Sequence, residues 1–276
     1  QWSAQNRMVT AQDYAALIFR NFSNVITDIK AWGGEDNLPP KYGSVFMSIL
    51  FDTDDEVVVS NAKGDIRSLA KDLAVASFNI EFVDPIETYL EVSTTFQFNP
   101  TLTSLSQSAI EERVKSTMQN YFETNVGGFN QSFRRSNMLT SIDANDDSIL
   151  SSRADIIMQN RFVPVFNQTN QVIYYPAAIS ASFENTYVIE SGSFYYSGKV
   201  CTMKNRLDSN VIQIIEIATG NVLVDNIGYY NANDGTITLI NFTGTIISGD
   251  YIPVRAIPAN PSVINPLRNN ILKYDE

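Results

Sequence analysis

Leu90-Glu-Val-Ser-Thr-Thr-Phe-Gln-Phe98 is the stretch of sequence that decides the fold. Apolar residues and one threonine occupy every second position, and polar residues fill the positions between them. A period of two places these two sets on opposite faces of a strand, so the stretch predicts a β-strand with one buried face. It is the clearest strand signal in the chain.

Helical and strand patterns alternate along the chain as far as residue 162. Thr10 is placed to cap a first helix, and Ser108-Ala-Ile-Glu111 has the spacing of a capping box. Further helices are predicted over 65–78 and 130–141, and further strands over 25–32, 45–51 and 149–162. This alternation predicts an α+β fold, with a mixed helix and sheet domain over residues 1–162.

Beyond residue 162 almost every pattern is typical of a strand or a turn. Asn233-Asp-Gly235, for example, lies between Tyr229-Tyr230 and the apolar run Thr236–Ile240, as a tight turn between antiparallel strands would. Residues 163–276 therefore predict an antiparallel β-rich domain, either a sandwich or a small barrel. Its last part, residues 258–276, is expected to be an extended, exposed tail that is ordered only when it docks on something.

The composition excludes several kinds of chemistry. The 276 residues include no histidine and one cysteine, Cys201, which excludes Ser-His-Asp and Cys-His catalysis, histidine-ligated zinc and an internal disulfide. No cofactor is expected. The net charge of -11 makes a nucleic acid or an anionic membrane an unfavourable partner. No apolar run reaches the roughly 18 residues that span a bilayer.

Two clusters of acidic residues raise the question of a cation site or of a carboxylate pair for glycoside hydrolysis. The first comprises Asp52, Asp54, Asp55 and Glu56, and the second comprises Asp143, Asp146 and Asp147. The first lacks the glycine and the terminal glutamate of a calcium loop. Solvated polar loops are the prediction for both clusters, and no catalytic residue is expected.

Tyrosine doublets recur within the strand patterns, at Tyr174-Tyr175, Tyr195-Tyr196 and Tyr229-Tyr230. Neighbouring residues in a strand point to opposite faces, so one ring of each doublet is expected to lie outside. Such rings could mark a protein interface or a sugar-binding face. A carbohydrate-binding β module on an α+β support is therefore the alternative function.

Several short motifs resemble the baseplate wedge proteins of contractile-tailed phages and, more widely, baseplate J-like proteins. The motifs are Arg7-Met-Val-Thr10 with Asp13-Tyr14, Trp32-Gly-Gly-Glu-Asp36 with Pro39-Pro40 and Tyr42-Gly43, Val45-Phe46, Phe129 with Phe133, Ser151-Ser-Arg153, and Pro266 with Arg268-Asn269 and Ile271. Among wedge proteins, the likeness is to the T4-type subunits that form the ring between wedges. Members of this family are longer than 276 residues, so the resemblance implies a C-terminal portion.

The resemblance implies a structural subunit of the virion, assembled in the host cytoplasm, with no enzymatic activity. Such a subunit forms homodimers and links neighbouring wedges into a ring around the tail hub, and the ring rearranges when the sheath contracts. Its expected partners are copies of itself and other baseplate wedge proteins.

Candidate interface residues lie in the Trp32–Gly43 loop and in the tail. They are Trp32, Glu35, Asp36, Pro39, Pro40 and Tyr42 in the loop, and Leu267, Ile271 and Leu272 in the tail. The two prolines lower the entropy that the loop loses on docking, and the aromatic rings offer rigid contact area. A turn that only supports the fold is the alternative interpretation of this loop.

Overall fold

The computed structural model describes residues 8–37, 40–73, 79–182, 185–266 and 269–275. The chain divides into two compact units, Gln1–Ile86 and Glu87–Glu276. Helices and strands occur together in the first unit, and strands predominate in the second, as expected for an α+β fold with a β-rich domain. The position expected for a domain boundary, near Phe162, lies within the second unit.

The first unit packs two helices against a three-stranded sheet. Its elements are α1 (Ala11–Phe22), β1 (Ile26–Gly33), β2 (Ser44–Phe51), α2 (Glu56–Leu73) and β3 (Asn79–Phe82). The central strand, β2, pairs antiparallel with β1 and parallel with β3. The buried residues of this core are Met8, Tyr14, Ile18, Ile26, Val45, Met47, Ile49, Ile66 and Ala70.

The first helix begins at the predicted cap. The Thr10 hydroxyl accepts a hydrogen bond from the Asp13 amide at 3.2 Å, and the Asp13 carboxylate accepts one from the Thr10 amide at 2.8 Å. These two bonds satisfy amides that a helix start would otherwise leave unpaired. Hydrogen bonds from the Thr10 amide and hydroxyl also lower the pKa of Asp13.

The predicted bounds of the second helix, 65–78, were wrong at the start: α2 begins at Glu56. The cause is Asp55, whose carboxylate accepts hydrogen bonds from the amides of Val57 at 2.9 Å and Val58 at 3.3 Å. Both valines are exposed, so the first turns of α2 lack the apolar stripe from which a helix is predicted in a sequence. The helix is described as far as Leu73, and residues 74–78 lie outside the described residues.

Replacing the cap of α2 is expected to destabilise the first unit. Asp55→Ala removes the acceptor for two helix-terminal amides, which costs about 1 kcal/mol in the free energy of unfolding. Trp32 belongs to this unit, and the other tryptophan of the chain, Trp2, precedes it in the sequence, so urea denaturation followed by tryptophan fluorescence measures the change. Asp54→Ala is the control, and an equal loss in both variants would contradict the role assigned to Asp55.

The second unit contains one large sheet and two helices, α3 (Gln107–Asn125) and α4 (Arg135–Asp143). The strands are β4 (Ile86–Phe98), β5 (Phe133–Arg134), β6 (Ile149–Phe162), β7 (Asn170–Tyr174), β8 (Ile189–Ser191), β9 (Phe194–Tyr196), β10 (Lys199–Asn205), β11 (Val211–Glu216), β12 (Val222–Asn231), β13 (Thr236–Ile240), β14 (Thr245–Ile246), β15 (Ile252–Ala256), β16 (Val263–Ile264) and β17 (Asn270–Tyr274).

The large sheet has 12 strands and curls back on itself. Ten of them follow the order β17-β4-β6-β15-β8-β10-β11-β12-β13-β7. Outside this path, β9 pairs with β10, and β14 pairs with β9. Strands β5 and β16 form a separate pair. Asn160 of β6 donates a hydrogen bond to the carbonyl of Tyr174 in β7 at 3.4 Å. The last strand of the path therefore returns to β6, and the curled sheet resembles the barrel alternative more than the sandwich.

Strand β4, which contains the stretch predicted first, pairs antiparallel with β6 from Tyr89 to Phe98. Helix α3 packs on this pair, and the hydroxyl of Thr94 in β4 lies 3.4 Å from the sulfur of Met118 in α3. The predicted cap of α3, Ser108, was two residues late. Ser106, rather than Ser108, accepts the hydrogen bond from the Ala109 amide, because the helix already begins at Gln107.

The fourth helix also begins later than predicted, at Arg135 instead of Asn130. Asn130 has a φ of 61°, which is incompatible with an α-helix. Phe133 and Arg134 then pair with Ile264 and Val263 as strands. A contact between segments that are distant in sequence therefore removes the first turn of the predicted helix.

The tail beyond residue 258 is not exposed as expected, because it forms β16 and β17. Strand β17 lies next to β4, and the Asp275 amide donates to the Leu90 carbonyl at 3.1 Å. Leu272 belongs to the core of the second unit. The tail is thus docked on the same unit of the same chain.

Leu272→Ala is expected to destabilise the second unit strongly. The change leaves a cavity at a position with 0% exposure, and such substitutions cost about 2–5 kcal/mol. Thermal and urea denaturation followed by circular dichroism measure the loss. Leu150→Ala, at an exposed position of β6, should change stability by less than about 0.5 kcal/mol. Wild-type stability in the Leu272 variant would mean that the tail is not part of the core.

Candidate protein interface

The Trp32–Gly43 loop begins with the last two residues of β1, leads to β2 and is closed by its own backbone. The Gly34 carbonyl accepts hydrogen bonds from the Asn37 amide at 3.3 Å and from the Lys41 amide at 2.8 Å. A Cβ atom on residue 34 would lie 1.8 Å from the Lys41 carbonyl oxygen. Only glycine allows the two sides of the loop to approach this closely.

Trp32 supports the fold of this loop. Its ring is partly buried and stacks on Phe46, with the ring centroids 5.9 Å apart and the ring planes 14° apart. Its indole nitrogen lies 3.5 Å from the side-chain oxygen of Asn37. The alternative interpretation of the loop, as support for the fold, therefore describes Trp32 well.

The remaining described candidates in the loop face solvent. Glu35, Asp36, Pro40 and Tyr42 are exposed, and the Tyr42 side chain is 81% accessible. Pro39 lies outside the described residues. A tyrosine this exposed contributes little to the stability of its own unit, and it offers a large rigid ring to a partner.

Charges around the loop are partly neutralised. The ammonium group of Lys41 lies 2.6 Å from the carboxylate of Glu81 in β3. Burial lowers the pKa of Lys30 in β1, while the carboxylate of Asp28 acts in the opposite direction. The acidic side chains of Glu35 and Asp36 therefore dominate the charge that the loop presents to solvent.

The two tail candidates that the structure describes, Ile271 and Leu272, are not on the surface. Ile271 and Leu272 are 2% and 0% exposed, because β17 buries them against the rest of the second unit. Leu267 lies outside the described residues. The prediction of the tail as an interface rested on its proline-rich, extended pattern, which does not show where the tail docks.

A charged network surrounds β17. The ammonium group of Lys273 contacts the carboxylate of Glu87, and Asp275 lies 3.2 Å from the guanidinium group of Arg161. Arg161 also lies over the ring of Tyr89, at 3.4 Å from its centroid. Burial and then the hydrogen bond to Glu87 raise the pKa of Tyr89 to about 12. Opposite charges on three strands thus hold the tail in register.

The expectation for the tyrosine doublets is confirmed. Tyr174, Tyr195 and Tyr229 are exposed, while their neighbours Tyr175 and Tyr230 are buried and Tyr196 is partly buried. Tyr174 and Tyr229 share the outer face formed by β7, β13 and β12, whereas Tyr195 lies on β9. The doublets therefore mark two regions of the second unit.

Sequence reasoning missed the exposed apolar loop that leads into β7. Val163, Val165 and Phe166 are all exposed, and Phe166 is 64% accessible. A signal was present, because residues 162–183 contain no charged side chain although 18% of the chain is charged. Charge depletion is typical of the centre of a protein interface.

One residue in each of the two acidic clusters stabilises the local fold. Asp55 caps α2, and Asp146 accepts a hydrogen bond from the Ser148 amide and pairs with Arg113 at 3.4 Å. Among the described residues, no group of three or more histidine, cysteine, aspartate or glutamate side chains could hold a metal ion. In the same residues, no helix is long and apolar enough to cross a membrane.

Two protein-family models match consecutive segments of the chain. Residues 10–83 match the model of C-terminal domain I of the baseplate structural protein gp6, and residues 87–161 match that of its C-terminal domain III. Together the two matches span more than half of the chain. The chain belongs to the gp6 family of baseplate structural proteins. It is therefore a structural protein of the phage tail baseplate, as the sequence motifs implied.

A curated relative gives the same result. The chain is 26% identical over 222 residues to the baseplate wedge protein gp6 of Enterobacteria phage T4. The aligned part is 78% of this chain and 31% of that protein. The chain thus spans about a third of the length of this gp6 relative.

The gp6 family matches also agree with the two structural units. The first match ends at residue 83 and the second begins at residue 87, on either side of the division at Ile86–Glu87. The second match ends at residue 161, next to the position where the change from mixed to β-rich patterns occurs in the sequence.

Trp32 and Tyr42 are expected to respond differently to substitution. Trp32→Ala removes the stack on Phe46 and should lower the free energy of unfolding by about 2 kcal/mol. Tyr42→Ala should change it by less than about 0.5 kcal/mol, because the ring is exposed. Urea denaturation followed by circular dichroism distinguishes the two. Similar losses in both variants would mean that Tyr42 also supports the fold.

Proposed function

We propose that this gp6-family chain acts by protein contacts alone. It forms homodimers and links neighbouring wedges into the ring around the tail hub, and this ring rearranges when the sheath contracts. The chain has no enzymatic role in this proposal. Copies of itself and other baseplate wedge proteins are its partners.

The name of the T4 relative, a baseplate wedge protein, supports a role in the wedge. Two clefts formed by described residues of the second unit support binding over catalysis. One cleft contains a single carboxylate, from Asp208, and the other contains a single carboxylate, from Glu123. Glycoside hydrolysis normally needs two carboxyl groups on either side of the bond that is cleaved.

The exposed Tyr42 ring, on a loop closed by its own backbone, is the single observation that carries the proposal. The hydrogen bonds to Gly34 and the stack of Trp32 on Phe46 are made within the chain, without a partner. A preorganised loop loses little conformational entropy on association. Tyrosine is also among the residues that contribute most to interface affinity.

The charge of the Trp32–Gly43 loop restricts the partner surfaces that it can bind. The chain carries a net charge of -11, and the loop exposes Glu35 and Asp36. Like charges facing each other across an interface are unfavourable. We therefore expect the loop to contact a neutral or basic patch of its partner.

Sedimentation equilibrium of the isolated chain tests self-association. We expect a dimer whose dissociation constant rises about 30-fold in Tyr42→Ala, which corresponds to the loss of about 2 kcal/mol at an interface hot spot. Tyr195→Ala, which removes an exposed tyrosine of the second unit, is the control and should dissociate like the wild type.

Two outcomes would contradict the proposal. A chain that stays monomeric at high micromolar concentration would exclude dimerisation by this part of the subunit. Equal weakening by Tyr42→Ala and Tyr195→Ala would mean that the loop is not the contact.

A further inference from the structure

The outer face of β7, β13 and β12 is a second exposed surface. Its central row runs from Val172 through Thr238 to Tyr229, and a parallel row runs from Tyr174 through Thr236 to Asn231. The residues between them in each strand point inward and are buried, among them Ile173, Ile237 and Tyr230. We call the outward set, completed by Ile240, the uncharged face.

The uncharged face has the composition of an interface centre. It combines aromatic and β-branched side chains with threonine and asparagine, and it contains no lysine, arginine, aspartate or glutamate. The exposed Val163, Val165 and Phe166 precede β7 in an equally uncharged segment. Depletion of charge together with exposed aromatic residues distinguishes protein interfaces from the rest of a surface.

A cleft of about 430 Å³ adjoins this face and shares two of its residues, Tyr229 and Asn231. Ser209, Asn210 and Asp208 also line the cleft, and Asp208 is its one charged residue. The nearest cation in the sequence, Arg206, is already paired with Asp225 at 3.3 Å. Asp208 forms no ion pair with any other described residue.

The chemistry of the cleft selects a cationic side chain. One carboxylate is too few to hold a divalent ion, and it repels an anion. A carboxylate beside an accessible tyrosine ring suits an arginine or a lysine, which can form an ion pair and a cation–π contact. The amide and hydroxyl groups of Asn210 and Ser209 can accept further hydrogen bonds from such a group.

We propose that the uncharged face and its cleft dock a different baseplate protein. The partner presents an uncharged patch bordered by an arginine or lysine, which enters the cleft beside Asp208. The same face of a second copy does not fit, because the face contains no cation of its own. An isologous contact would leave Asp208 buried without a partner, which is costly. This inference rests on the proposed role of the chain in assembly, and it identifies a surface separate from the Trp32–Gly43 loop.

Cysteine labelling tests the proposal cleanly, because Cys201 is fully buried and burial raises the pKa of its thiol. Val172→Cys places a thiol in the central row, and Val222→Cys places one at the other end of β12. These valines are 39% and 48% exposed. The rate of reaction with N-ethylmaleimide is measured by mass spectrometry in the isolated chain and in purified baseplates that carry the substitution.

Both thiols should react readily in the isolated chain. In baseplates, we expect Val172→Cys to react at least about tenfold more slowly, because the partner covers it, and Val222→Cys to change much less. Asp208→Lys should restore the reactivity of Val172→Cys in baseplates, since the partner's cation is then repelled. Asp250→Lys, an equal charge change at an exposed turn, should not restore it.

Three results would overturn the proposal. Equal reactivity of Val172→Cys in the isolated chain and in baseplates would mean that nothing covers the face. Protection that appears in the isolated chain as its concentration rises would identify a second copy as the occupant. Protection of the isolated chain by millimolar neutral oligosaccharides would identify a sugar site. A monomeric chain whose Val172→Cys is protected in baseplates would exclude dimerisation and leave this inference standing.

Discussion

The pairing of β4 with β6 is the constraint on which the second unit depends. Ten consecutive residues of β4, from Tyr89 to Phe98, face β6 in antiparallel register with one irregularity at Gln97–Phe98. A shift by one residue would turn Leu90 from the core to the outside. The same pair positions α3 on one side, while its two edges receive β17 and β15. Three other segments, α3, β15 and β17, are therefore held in place by this one ladder.

Local signals predicted much of this fold, because they act within a few residues. The alternation in 90–98, the cap at Thr10 and the turn at Asn233–Gly235 correspond to β4, α1 and the β12–β13 hairpin. The failures at α4 and in the tail involve longer distances. The start of α4 depends on β16, and the burial of Leu272 depends on β4, more than 100 residues away in each case. No local pattern contains that information.

In the candidate interface too, local patterns predicted some features, while others depend on contacts that only the structure shows. Composition and motifs indicated the Trp32–Gly43 loop, but only coordinates separate Trp32, which stacks on Phe46, from Tyr42, which faces solvent. The strand alternation correctly predicted that one ring of each tyrosine doublet lies outside. It could not indicate that Tyr174 and Tyr229 share a face, because that depends on the order of strands in the sheet.

The position of β17 has a consequence for synthesis. Strand β4 is complete once residue 98 has been translated, yet the neighbour on its outer edge is the last of the described strands to emerge from the ribosome. Until then β4 presents unpaired amides and carbonyls, and free strand edges promote aggregation. A nascent chain that stalls before Asn270 would thus expose the unpaired edge of β4. Chaperones or early partner subunits could bind this edge during translation.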